Sequence, residues 1–415
     1  MRNLAAIWAA LVLVLGLQLG GCKKEEEEGA KKKPKKIAGP EGTIKIVSSL
    51  PRTGSAVAVS GAMVDGIRLA LAEADGMAGP FTIVYEDWDD ASAKKGDWDP
   101  EVEAANADKA VKDPDVMVYI GTYNSGAAKI SMPIVNRAGL VMISPGNTYP
   151  GLTKPGMGEA NEPDIYRPSG KVGFFRVVPA DDLQGSVGAK WMKKMGANSV
   201  YVLDARDLYG KGIADVFQQT AEDIGLKVAG REGIDPRAQE YKSLMTKIKA
   251  ADPDFVYFGG TTQNNAGQIA KDLVAVGLRS KFMGPDGCFD SAFITSSGAP
   301  NVNDRAFITF GGVPPDQLTG LGANFVKAYQ KKYNKMPEAY GVYGYVAAQV
   351  ALAAITAANK KDREAIRAAV QAYKTEDSAL GPFSFDENGD TTMSVMSGNT
   401  VKSGQFQFMS KLSNE

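Results

Sequence analysis

From Thr43 onward, short apolar runs alternate with stretches whose apolar residues recur every three or four positions. "TIKIVSSL" (43–50) predicts a strand, and Met63, Ile67, Ala70, Leu71 and Ala74 then fall on one helical face. "FTIVYE" (81–86) predicts the next strand, and Glu101 to Lys112 a helix that Asp113-Pro114 ends. "VMVYIG" (116–121) and "LVMIS" (140–144) are strands with the helix "AKISMPIVNRAG" between them. This βαβα order predicts a parallel sheet covered by helices on both faces.

A second run of the same kind begins near Val200. "SVYVLD" (199–204), "DFVYFGG" (254–260), "KFMG" and "AFITFGG" (306–312) read as strands. Ile213–Ile224 and "NAGQIAKDLVAVG" (265–277) read as helices, followed by helices at Asn324–Tyr333, Tyr340–Ala358 and Asp362–Tyr373. "GPFSFDENGDTTMSVM" reads as a hairpin turning at Asn388-Gly389. No short-period repeat is visible, so two α/β units are expected. Two stretches, 87–101 and 153–170, are rich in Gly, Pro and Asp and longer than a compact domain needs. The five aspartates of the first lack the glycine of an EF-hand loop, which makes it a solvated surface loop. "DENGD" (386–390) is read as a turn.

The pattern before Thr43 is different. Arg2 precedes a nearly unbroken apolar run from Leu4 to Leu19, short for a membrane span. It ends in Leu19-Gly20-Gly21-Cys22, which resembles the lipobox of bacterial lipoproteins. That resemblance makes residues 1–21 a signal peptide and Cys22 the lipidated N-terminus of the mature chain. Residues 22–42 then form a charged tether that cannot pack, because "KKEEEEGAKKKPKK" has no apolar side chain larger than alanine. The expected location is the periplasm or cell envelope, with the body anchored to a membrane that it does not span.

Composition narrows the chemistry. The chain has 415 residues, 44% of them hydrophobic, enough for two cores, and its net charge of −1 suggests no nucleic-acid partner. It has no histidine and only two cysteines, Cys22 and Cys288. Ser-His-Asp and Cys-His catalysis, imidazole-based zinc sites and C-x-x-C redox motifs are therefore excluded. Neither a nucleotide-binding glycine motif nor a G-x-S-x-G elbow is present.

In open α/β sheets, ligands bind beyond the carboxyl ends of the strands. The residues delivered there are hydroxyls, amides, tyrosines and an acid. They include Thr122-Tyr123-Asn124-Ser125, Ser144-Pro145-Gly146-Asn147-Thr148, Tyr209-Gly210, Thr261-Thr262-Gln263 and Asp286. Hydroxyls and amides at helix starts suit a carboxylate held without reaction, and a lone acid suits an ammonium. Ser125 and Thr148 could equally be plain helix caps, Tyr209 a packing residue and Asp286 part of a Pro-Asp-Gly turn.

"IKIVSSLPRTG", "DGIRLALAEA", "YIGTYNSGAAKISMPIVNRAGLVMISPGNTYPGLT", "LYGKGIAD", "DFVYFGG", "GQIAKDLVAVGL", "FMGPDG" and "GPFSFDENGD" occur in that order. Together they make residues 43–415 resemble the substrate-binding proteins of branched-chain and related amino-acid ABC transporters. The resemblance implies the type I periplasmic binding fold. Two Rossmann-like α/β lobes with parallel sheets are joined by three crossovers and close like a clamshell. Lobe one would comprise 43–180 plus 311–381, and lobe two 181–310 plus 382–415.

Carried over by position, Ser125 would bind a ligand carboxylate, and Thr148 both carboxylate and ammonium. The carbonyl of Gly146, or of Asn147 if the register slips by one, would accept from the ammonium. Tyr209 would lie on the closing lobe, Thr261 replaces a tyrosine of relatives, and Asp286 would be the counter-charge. Asn124 stands where some relatives carry a disulfide cysteine, and the two long loops read as insertions at the rim. The implied protein is a monomeric solute-binding lipoprotein, not an enzyme, without cofactor or metal. It would deliver an amino acid, branched-chain or similar, to ABC permease subunits. Alternatives are a ligand-sensing lipoprotein that signals to a membrane receptor, or a binder of a related amide or carboxylate.

Overall fold

Strands Val116–Gly121 and Val141–Ser144 are buried along their whole length, which is why their sequences are unbroken apolar runs. They lie within a six-stranded sheet in the computed structural model, which describes residues 41–413. The expected signal peptide, Cys22 and the tether up to residue 40 lie outside the described residues. In spatial order the sheet runs Met77–Ala78, Phe81–Asp89, Gly42–Leu50, Val116–Gly121, Val141–Ser144, Phe174–Arg176. All its neighbours are parallel except the first pair.

A seven-stranded sheet follows, ordered Lys227–Gly233, Ser199–Asp204, Phe255–Gly259, Lys281–Gly284, Ala306–Gly311, Met396–Lys402, Gln405–Leu412. Its first five strands are parallel, and Met396–Lys402 is antiparallel to both of its neighbours. Helix Asp181–Lys194 packs on this second sheet, whereas Gly341–Ala358 and Arg363–Gln371 pack on strands of the first. The chain therefore passes between the two sheets three times, and each sheet with its helices is one lobe.

Helix Gly341–Ala358 is apolar on every side, with mean hydropathy 1.4, and is long enough to cross a membrane. It instead forms the core of the first lobe against helix Val57–Glu73. The two backbones touch. A β-carbon on Gly66 would sit 2.2 Å from the Gly341 carbonyl oxygen, and one on Gly344 would sit 2.2 Å from that of Met63. Only glycine permits that approach.

Most elements fall where the apolar pattern puts them, but three regions differ. Residues 87–101 are not a solvated loop. The strand continues to Asp89, and Ala91–Ser92 pairs with Asp97–Trp98 in a short ribbon. Asp89 accepts from Arg52 N (2.7 Å), Thr53 Oγ1 (2.7 Å) and Ala91 N (2.9 Å), and Asp99 caps helix Pro100–Lys112 through Glu101 N (3.0 Å). These aspartates thus satisfy backbone and hydroxyl donors rather than water, and Asp90 is fully buried. Among the described residues, no group of three or more acids or cysteines could hold a metal ion.

The Asn388-Gly389 turn forms, with Gly389 at φ +92°, but closes only one bridge, Phe385 to Thr391. The long hairpin lies further on, at Met396–Lys402 and Gln405–Leu412, where Ser403 and Gly404 both take positive φ. Strands Phe174–Arg176 and Lys227–Gly233 were not expected, the first although Phe174 and Phe175 are apolar and buried, the second because its pattern is weak. One is three residues long, and the other is a half-exposed edge.

Candidate functional site

Helix Ser125–Arg137 starts at the end of strand Val116–Gly121 with Asn124 as its N-cap, and no side chain caps it. Ala127 N and Ala128 N bond the Asn124 carbonyl (3.0 and 3.2 Å), so the first amides, of Ser125 and Gly126, remain without a side-chain acceptor. Ser125 is buried, and its Oγ accepts from Tyr149 N (3.4 Å) rather than from its own helix. The helix-cap reading of Ser125 is therefore not what the geometry shows. Free amides at the positive end of a helix dipole form an anion site.

The turn that presents them is braced by Asn147. Its Oδ1 accepts from Thr122 N (3.1 Å), and its Nδ2 donates to the Tyr123 carbonyl (3.0 Å). The Asn147 carbonyl accepts from Arg176 Nη1 (3.2 Å). Arg176 is fully buried, pairs with Asp390 (2.7 Å) and also donates to the Tyr149 carbonyl (2.9 Å). One guanidinium thus ties the 386–390 turn to the loop carrying Gly146, Asn147 and Thr148. Gly146 lies bare against the aromatic wall, where a β-carbon would come 3.0 Å from Tyr123 Cδ2.

On the opposite wall, Asp286 begins a single helical turn, Asp286–Cys288, after strand Lys281–Gly284. The Tyr209 hydroxyl donates to one of its oxygens (2.5 Å) and the Tyr340 hydroxyl to the other. Burial raises the Asp286 carboxyl above its ordinary range, and the phenol donors oppose that rise. Burial, and then the Asp286 charge, push both tyrosines well up.

Beside Asp286 lies Asp181, the first residue of helix Asp181–Lys194. It is fully buried and its carboxyl oxygens have no hydrogen-bond partner. Burial and the neighbouring Asp286 charge raise it strongly. Burial thus raises both carboxyls, and only Asp286 has two phenol donors that favour its ionised form. Two close acids that share a buried site disfavour a double charge, and an ammonium between the walls would favour the ionised form of Asp286.

A cavity between the two walls is lined by Ser125, Gly146, Tyr209, Thr261 and Asp286. Asn147 and Thr148 are buried behind its lining, and the Thr148 carbonyl accepts from Asp181 N (2.9 Å). Thr261 spends its hydroxyl on Asn264 in a capping box. Residues that the sequence did not single out complete the lining. Trp98 reaches in from the ribbon and lies so close to Gly126 that a β-carbon there would be 2.6 Å from its ring. Tyr340 arrives from the start of the core helix, 54 residues beyond the acid it touches. Aspartates and a tryptophan in an expected loop carried no signal, and Tyr340 looked like any helix-start aromatic.

A family model described as periplasmic binding protein matches residues 43–405. The chain belongs to the periplasmic binding protein family. Members of this family are extracytoplasmic substrate-binding proteins, not enzymes. Over 349 residues the chain is 30% identical to Leu/Ile/Val-binding protein homolog 2 of Brucella abortus, covering 83% of this chain and 86% of that protein. Among solved structures, it resembles a leucine binding protein from Thermotoga maritima with a TM-score of 0.79 and 24% identity, over 89% of this chain and 99% of that one. A branched-chain amino acid transporter substrate-binding protein from Streptococcus pneumoniae, solved with isoleucine, matches with a TM-score of 0.76 and 22% identity, over 89% and 98%. Both structures share the type I periplasmic binding fold.

Proposed function

We propose that the protein captures an α-amino acid between its two lobes and hands it to the permease of an ABC importer. The observation that carries this reading is the cavity in which the uncapped start of helix Ser125–Arg137 lies on one wall and Asp286 on the other. The helix amides and Ser125 Oγ take the carboxylate. Asp286, with the Gly146 carbonyl, takes the ammonium. Thr148 supports the site from behind through its backbone bond to Asp181. The first lobe comprises 43–180 plus 311–381 and the second 181–310 plus 382–415, so ligand bound to both walls favours the closed form. The leucine, isoleucine and valine named for the relatives are the starting ligands. A lipid on Cys22 holds the body at a membrane, and the charged tether gives it reach to the permease.

A thermal-shift screen of the purified protein over amino acids tests the reading. A ligand at a hundredfold excess over its dissociation constant stabilises the fold by ~2.7 kcal/mol. Absence of any shift or calorimetric heat with all α-amino acids overturns it. Cys22→Ser is expected to release the intact body from membranes on cell fractionation, and continued retention would refute the lipid anchor.

A further inference from the structure

Away from the two zwitterion contacts, the cavity lining sets two polar side chains, Asn124 and Asp207, among Trp98, Tyr123 and Leu208. The Asn124 side chain makes no capping bond, and its Oδ1 is buried without a hydrogen-bond partner. Asp207, on the other wall, starts helix Leu208–Asp223 and accepts from Gly210 N (2.7 Å). Burial first, and then the Asp204 charge, raise its carboxyl, while Gly210 N, the Asn264 side chain and Tyr209 N donate to it without supplying a counter-charge. Both residues line the cavity.

The lining carries two carboxylates, Asp207 and Asp286, and no basic side chain. The nearby cations are committed elsewhere. Lys211 pairs with Glu159 and Asp215, Arg231 with Asp204 and Asp215, and Arg206 with the Gly233 carbonyl. Lys95 lies 5.8 Å over the Trp98 ring and stays exposed. Asp97, next to Trp98 on the ribbon, adds charge of the same sign, and burial together with Asp207 pushes its carboxyl up to about 6.

An α-amino acid neutralises Asp286 with its ammonium, and its own carboxylate is met by the helix start. Asp207, which lines the same cavity, then has no counter-charge and gains one only if the ligand's side chain brings it. A leucine side chain would also leave the Asn124 oxygen unpaired. We infer that the ligand's side chain carries a second amino group, so that the site takes a diamino acid: Asp207 supplies its counter-charge and Asn124 Oδ1 a hydrogen-bond acceptor. This rests on the amino-acid reading above and names the substrate class within it.

Calorimetric titration with leucine, 2,4-diaminobutyrate, ornithine and lysine tests it against the wild type, Asp207→Asn and Asn124→Ala. Asn still accepts from Gly210 N, so Asp207→Asn removes charge and keeps the cap. Thermal melting of each unliganded variant checks that it folds. The best diamino acid is expected to bind the wild type at least tenfold tighter than leucine, since a charge-assisted bond in a buried site is worth about tenfold or more. Asp207→Asn should lower the diamino-acid-to-leucine affinity ratio at least tenfold, and Asn124→Ala should lower it less. Leucine binding more tightly than every diamino acid, or an unchanged ratio in folded Asp207→Asn, overturns the inference and leaves the amino-acid reading standing. Binding of no α-amino acid at all overturns both.

Discussion

One wall of the cavity offers backbone amides and a serine hydroxyl at the start of helix Ser125–Arg137, whereas the other offers a carboxylate gripped by two phenols. The amides are neutral, need no proton and are fixed by the helix, so that wall is indifferent to pH. The acid wall works against burial, which raises both Asp286 and Asp181, and the Tyr209 and Tyr340 hydroxyls oppose that rise at Asp286. A neutral wall is cheap to hold ready without ligand. A charged one needs the ligand, or its phenols, in place.

That contrast predicts unequal losses. Asp286→Asn keeps the shape and removes the charge. An ammonium buried without its counter-charge costs several kcal/mol, so affinity for an α-amino acid should fall at least about a hundredfold. The matching 2-keto acid should lose little. Calorimetry of both ligands against both proteins decides it, and equal losses would reduce Asp286 to a turn residue. On the proposed reading, Ser125→Ala removes one hydrogen bond to a ligand carboxylate. It should weaken binding roughly tenfold to a hundredfold and leave unliganded melting unchanged, because Ser125 does not cap its helix. Lowered stability with unchanged affinity would contradict that.

A second buried acid pair sharpens the comparison. Glu103 accepts from Ser49 Oγ (2.5 Å) and Tyr119 Oη (2.9 Å), and burial pushes its carboxyl up to about 7. Its neighbour Asp90 has no partner on either oxygen and is raised strongly, by burial first and then by Glu103. Here the hydroxyl donors oppose the rise, but burial outweighs them. The folded state keeps a proton that the unfolded chain releases above its ordinary carboxyl range. Stability is therefore fully present below about pH 4.5 and falls as pH rises toward 7. Glu103→Gln should remove a slope of roughly 1–2 kcal/mol across that window, read as a smaller difference in Tm between pH 5 and pH 7.5. An unaltered slope would place the proton elsewhere. The smallest effect is expected at Gly126, where an added methyl must push the Trp98 ring aside. Gly126→Ala should cost about 1 kcal/mol of binding, roughly fivefold, with little change in melting.

The fold was largely legible in the chain. Strands such as Val116–Gly121 are buried on both faces and must be apolar throughout, so they announce themselves, as does the periodic face of Val57–Glu73. The edge strand Lys227–Gly233, half exposed, did not. At the site, seven residues were named because strand ends in an α/β fold are where ligands meet the chain; Ser125, Gly146, Tyr209, Thr261 and Asp286 line one cavity, whereas Asn147 and Thr148 are buried outside its lining.

The local pattern thus determined which segments become strands and helices and which polar residues stand at their ends, because burial on a face and freedom at a terminus are properties of neighbouring residues. The tertiary structure alone decided which of those ends face each other. It brought Tyr340 to Asp286, set Asp181 beside it, folded Trp98 over Gly126 and left Asp207 without a counter-charge. Charge compensation and closure depend on distances between residues far apart in the chain. Those distances exist only once the helices and sheets have packed.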